Sequence, residues 1–116
     1  MALLTRDQIL SAEDRRSVEV DVPEWGGRVR LAEMTAKQRD SYETAVVKAR
    51  EADEPLNLRA AYVCRCLVDE DDQPLFALSD LEDLSAKAGG VLDRLFLEAV
   101  KLNQQTKEAT DELPKD

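Results

Sequence analysis

The densest run of potential chemistry is Asp69-Glu70-Asp71-Asp72-Gln73-Pro74, whose alternating oxygen-bearing side chains suggest a calcium-binding loop. Asp69, Asp71 and Gln73 would fill the first, third and fifth ligand places. The sixth place, where a sharp turn requires Gly, is Pro74, and the twelfth, where a bidentate Glu belongs, is Asp80. The run therefore reads as a solvated turn. Cys64 and Cys66 stand one residue apart, ~200° from each other on a helix and too divergent for a local disulfide. With no His and no second cysteine pair, they cannot complete a zinc shell and are expected to be small, reduced, buried thiols.

The missing histidine also removes the usual base for a Ser or Cys nucleophile. Carboxylate pairs are numerous, but they fall in a turn, on the outer face of a strand or along helix surfaces, and nothing marks any pair as desolvated. Gly26-Gly27 follows one strand and leads into another, without the Gly-Lys-Ser/Thr of a phosphate-cradling loop. No catalytic residue, metal site or cofactor is assigned, and a non-enzymatic binding protein is expected. Sixteen Lys and Arg against 25 Asp and Glu give a net charge of −9, which repels nucleic-acid phosphates and anionic lipid surfaces alike. No apolar run reaches the length of a membrane span, and Arg6 interrupts the N-terminus before a signal-peptide core could form. A soluble cytosolic protein is expected.

The elements that must carry any binding surface follow from periodicity. The expected fold class is α+β, mainly helical: an N-terminal β-hairpin packed on a bundle of about four helices. One globular domain is expected over residues 1–103, a size that supports one modest core, with a polar, flexible tail over 104–116. Thr5-Arg6-Asp7-Gln8 has the form of a capping box and predicts a short helix from about Arg6 to Ala12. Ser17-Val18-Glu19-Val20-Asp21-Val22 and Arg28-Val29-Arg30-Leu31 alternate with period two around Pro23-Glu24-Trp25-Gly26-Gly27, which predicts a hairpin at about 17–32. With Pro23 facing Arg28, Val22 would face Val29, Val20 would face Leu31, and Asp21 would face Arg30 with Glu19 diagonal to it.

A second capping box at Thr35-Ala36-Lys37-Gln38 opens a helix over about 36–51, with Tyr42, Ala45, Val46 and Ala49 as its buried stripe. Residues 57–68 are apolar almost all round, interrupted only by Arg59 and Arg65, and predict a central helix. A third box, Ser79-Asp80-Leu81-Glu82, precedes a stripe formed by Leu81, Leu84, Ala88, Val91, Leu92, Leu95, Phe96, Ala99 and Leu102. Gly89-Gly90 interrupt it at roughly 1 kcal/mol each relative to Ala. One kinked helix or two separate ones fit; two, over about 80–86 and 88–103, are favoured.

Three residues stand out as contacts for another protein. Trp25 sits in the hairpin turn, either as an interface anchor or half-buried against its own strands. Leu97 falls ~180° from the apolar stripe, among Asp93, Arg94 and Lys101, and Val100 lies on its flank. They form either a contact ridge or the scattered exposed apolar residues common on any surface.

The order of segments resembles the tail assembly chaperones of long, non-contractile-tailed bacteriophages. The segments are Leu4-Thr5-Arg6-Asp7-Gln8-Ile9-Leu10, Val20-Asp21-Val22-Pro23-Glu24-Trp25-Gly26-Gly27-Arg28-Val29, the run from Leu67 to Phe76, and the run from Leu92 to Asn103. The likeness runs from about Leu4 to Asn103; Asp72 departs from it, standing where a Gly often follows the acidic pair. The resemblance implies a non-catalytic protein of the infected host's cytoplasm, absent from the mature virion. Its implied partners are the tape measure protein, which it would keep soluble, and the tail-tube protein, recruited by a longer form made through ribosomal frameshifting. This chain looks like the short form; Leu113-Pro114-Lys115 could be encoded by a slippery heptamer, and a homo-oligomer is possible. Two other readings are a minor head or tail component retained in the virion and an acidic DNA-mimic decoy. The decoy fits poorly, because the acids are interleaved with Arg15, Arg16, Arg28, Arg30, Lys37, Arg39 and Lys48.

Overall fold

The computed structural model of the protein describes residues 2–111, with side chains to residue 104. In chain order the elements are α1 (Arg6–Ser11), β1 (Ser17–Val22), β2 (Gly27–Ala32), α2 (Ala36–Glu51), α3 (Leu58–Cys66), β3 (Leu67–Val68), α4 (Leu81–Ser85) and α5 (Gly89–Asp111). The architecture is α+β, with a three-stranded antiparallel sheet in the order β1-β2-β3 lying against helices.

The hairpin keeps its predicted faces but not its predicted register. Val22 pairs with Gly27, Val20 with Val29, and Val18 with Leu31; Asp21 lies opposite Arg28, and Glu19 opposite Arg30. The shift is two residues, so the valines still point inward. Turn geometry decides it: Pro23, with its fixed φ, starts a 3-10 turn, and Gly26 closes that turn at φ 79°, donating its N–H to Pro23 O at 3.0 Å. Gly27 is thereby freed to join the ladder. The outer face remains cross-linked, with Arg28 bonded to Glu19 at 3.3 Å and Arg30 to Glu19 at 3.4 Å.

The expected helix over 57–68 ends at Cys66, and Leu67 and Val68 instead form β3, paired with Leu31 and Arg30 of β2. An unbroken apolar run carries no period that separates the end of a helix from a strand; here the open side of β2 captures it. Asn57 caps α3 by accepting from Ala60 N at 3.1 Å. The helix is central, burying Ala60, Ala61, Val63, Cys64, Arg65 and Cys66.

Both early capping boxes form, at Thr5–Gln8 and Thr35–Gln38. The third does not. Ser79 lies within a 3-10 turn, Leu78–Asp80, and it is the Asp80 carboxylate that accepts from Ala77 N at 2.9 Å. The chain breaks between α4 and α5 at residues 86–88, leaving Ala88 exposed rather than within the stripe, while Gly89 and Gly90 begin α5. Helix α5 also continues past residue 103 to Asp111. Gln104, Gln105, Lys107, Glu108 and Ala109 are good helix formers, so the end of the apolar pattern in the sequence does not end the helix. Residues 112–116 of the expected tail lie outside the described residues.

The core lies between the inner face of the sheet, α3 and α5. Leu31, Leu67, Leu95, Val22, Val63, Cys64 and Cys66 are fully enclosed. Helix α2 is peripheral: Tyr42, Ala45, Val46 and Ala49 form the face that packs, but all four are only half-buried. An edge-to-face ladder of rings runs from Tyr42 through Tyr62 to Phe96, with centroids 5.2 and 5.3 Å apart, and ties α2, α3 and α5 together.

Candidate interaction surface

Helix α5 presents two unlike faces. Val91, Leu92, Leu95, Ala99 and Leu102 are buried, which fixes the rotation of the helix and turns Leu97 outward, 58% exposed. Val100, one turn on from Leu97, is half-buried. Charges held by their own partners flank this apolar strip. Asp93 binds Arg59 at 3.0 Å, and Arg94 closes a two-pronged ion pair on Glu24 at 2.7 and 3.1 Å.

That fork connects the helix to the hairpin turn, since Glu24 immediately precedes Trp25 and Arg94 lies one turn before Leu97. The hydrogen bonds from Arg94 hold the Glu24 carboxyl below its usual pKa. Trp25 itself is 38% exposed. The structure thus brings the hairpin turn to the α5 segment that carries Leu97, with Val100 on the side toward α3.

A second apolar region escaped the sequence reading. No residue of α1 is buried, and Leu3, Leu4, Ile9 and Leu10 are 57–96% exposed. Leu4 and Ile9 occupy the positions on either side of the Thr5 cap that form a hydrophobic staple. Four large apolar residues within eight positions, on a segment too short to fold back over itself, were the available signal.

The acidic turn closes on itself. Asp69 Oδ1 accepts from the backbone N–H groups of Asp71 and Gln73 at 2.8 and 3.0 Å. Among the described residues no three Cys, Asp or Glu side chains converge as metal ligands. Cys64 and Cys66 are both buried free thiols, and burial pushes the Cys66 thiol up to about 12.

The profile of the phage tail assembly chaperone family matches residues 5–112. The chain belongs to that family. A solved structure of the bacteriophage HK97 tail assembly chaperone superposes on this chaperone with a TM-score of 0.59 and 29% identity, covering 83% of this chain and 90% of that one. No curated protein matches it. The α+β fold with its three-stranded sheet is the fold of this chaperone family.

Asp72, the turn residue singled out in the sequence, has an unusual backbone. Asp72 holds φ at 61°, a left-handed conformation that glycine adopts freely. Asp tolerates it better than most residues, and Arg30 adds an ion pair to its carboxylate at 3.2 Å. Among the described residues no helix is long and apolar enough to cross a membrane.

Proposed function

We propose that this tail assembly chaperone binds the tape measure protein, keeps it soluble and promotes assembly of the tail tube around it, without catalysis. The supporting observation is the apolar strip of exposed Leu97 and half-buried Val100, joined through the Glu24–Arg94 fork to the Trp25 turn, on a body of net charge −9. An amphipathic helix offers apolar residues at three-and-four spacing that such a strip can cover, while the charge keeps the complex dispersed. The chaperone acts in the host cytoplasm and leaves before the virion matures. A longer frameshifted form carries the segment that recruits the tail-tube protein.

The test is co-expression with the long helical protein encoded downstream, reading its solubility and co-purification. Leu97→Asp removes a contact of roughly 1.5–3 kcal/mol and is expected to weaken capture about tenfold or more, with the thermal melt nearly unchanged. A parallel loss of folding would reassign Leu97 to the core, and finding the protein in purified virions would favour a structural component instead.

A further inference from the structure

The strand order leaves β1 at the margin of the sheet. Glu33 N donates to Arg16 O at 2.9 Å, and Arg16 N donates to the Glu33 side-chain Oε1 at 2.9 Å, so residues 16 and 33 face each other through one ladder bond at the mouth of the hairpin. Antiparallel alternation then directs the backbone groups of Val18, Val20 and Val22 toward β2. By the same alternation, the N–H and C=O groups of Ser17, Glu19 and Asp21 point away from the sheet. Among the described residues no further strand pairs with them.

Three other features make this margin more than an ordinary sheet end. It is six residues long, without proline or bulge, so nothing in the backbone blunts it. Val18 and Val20, on the inner face, remain half-buried because no neighbour covers their outer side. Beneath the start of β1, a groove of about 470 Å³ opens toward α5, lined by Arg16, Ser17, Val18, Glu98, Lys101 and Leu102. An apolar side chain descending from a strand beside β1 would meet Val18 and Leu102 there.

We propose that β1 accepts an extended segment of a partner protein as a fourth strand, one alternating apolar and basic residues. The apolar residues cover Val18 and Val20, and the basic ones face the outer row, where Glu19 pairs with Arg28 and Arg30 and Asp21 with Arg28 from the β2 side, leaving the two acidic side chains 48% and 84% exposed. A second copy of this chain is the wrong occupant for this edge, since pairing β1 with itself sets these acids against their equivalents. This strand site is separate from the Leu97 strip and does not rest on the tape measure reading.

The experiment uses the full-length protein, isotopically labelled, and an end-capped seven-residue peptide alternating lysine and valine. Amide exchange at Ser17, Glu19 and Asp21 is expected to slow on saturation. Lysines opposite Glu19 and Asp21 in an antiparallel arrangement direct their own N–H groups at β1. Methylating the lysine backbone nitrogens is therefore expected to weaken binding by about tenfold or more, whereas methylating the valine nitrogens changes it by less than about threefold. A cationic peptide held only by the chain's negative charge would not distinguish the two. Equal affinity of the two methylated peptides, or slowed exchange confined to residues outside β1, overturns the proposal.

Discussion

Asn103 is polar, buried and hydrogen-bonded on both sides of its amide. Its Oδ1 accepts from Met34 N at 3.1 Å, while its Nδ2 donates to Ala99 O at 2.8 Å and lies 3.8 Å from Cys66 Sγ. One side chain thus fastens α5 to the segment between β2 and α2. Asn103→Ala would leave the Met34 N–H without its acceptor at a partly buried site, a loss of about 1–3 kcal/mol. For a domain of this size that corresponds to a melting temperature lower by roughly 5–15 °C, measurable by circular dichroism. A shift near zero would show that water replaces the amide. Arg65 makes a contrasting case: buried, it donates to Ala61 O at 2.8 Å and Ser41 Oγ at 3.0 Å, and its guanidinium lies 5.8 Å from the Tyr42 ring centre. Carbonyl, hydroxyl and ring face together accommodate the charge.

At the scale of elements, the acidic turn between β3 and the Leu78–Asp80 turn depends on one left-handed residue. Asp72→Gly and Asp72→Ala both lose the ion pair to Arg30, so the difference between them isolates the backbone. The alanine variant is expected to be less stable than the glycine variant by about 1 kcal/mol, read as a lower urea midpoint; equal midpoints would mean that the turn does not hold this geometry in solution. The turn also illustrates what sequence could reveal. Its acids marked the end of a helix, yet not that Leu67 and Val68 had already left α3 to pair with β2. The hairpin was legible because Val18, Val20 and Val22 alternate with acids, but a slip of two residues preserves both faces and the loop length, so only Pro23 and Gly26 fix the register. Rotation of α5 was legible from its stripe, and Leu97 lies outward accordingly. Burial depth was not: the Tyr42–Ala49 face has the right spacing, but no second layer closes over it. Exposure of Leu3, Leu4, Ile9 and Leu10 was equally hidden, because a capping box specifies where a helix starts and not whether anything packs on it.

Across the whole molecule, α3 and α5 meet around Cys66 and Tyr62, and this junction couples folding to alkaline pH. Burial raises the Cys66 thiol from 9.0 to about 12 and the Tyr62 phenol from 10.0 to about 12. In both, desolvation disfavours the anion, so the folded state holds its protons more tightly than the unfolded chain does. Their contribution to stability is therefore fully present below pH 9, declines as the unfolded groups ionise, and is lost as pH rises through about 12. The −9 charge adds self-repulsion of its own, so a falling stability curve alone would not identify the cause. Cys66→Ala separates the two effects. The variant loses thiol packing and starts less stable than the wild type, but it has no thiol to ionise at this position. Urea midpoints of the two proteins are expected to converge between pH 9 and pH 12, because the wild type alone carries the Cys66 penalty. Parallel curves across that interval would mean that ionisation of Cys66 does not drive the loss and that repulsion, together with Tyr62, accounts for it.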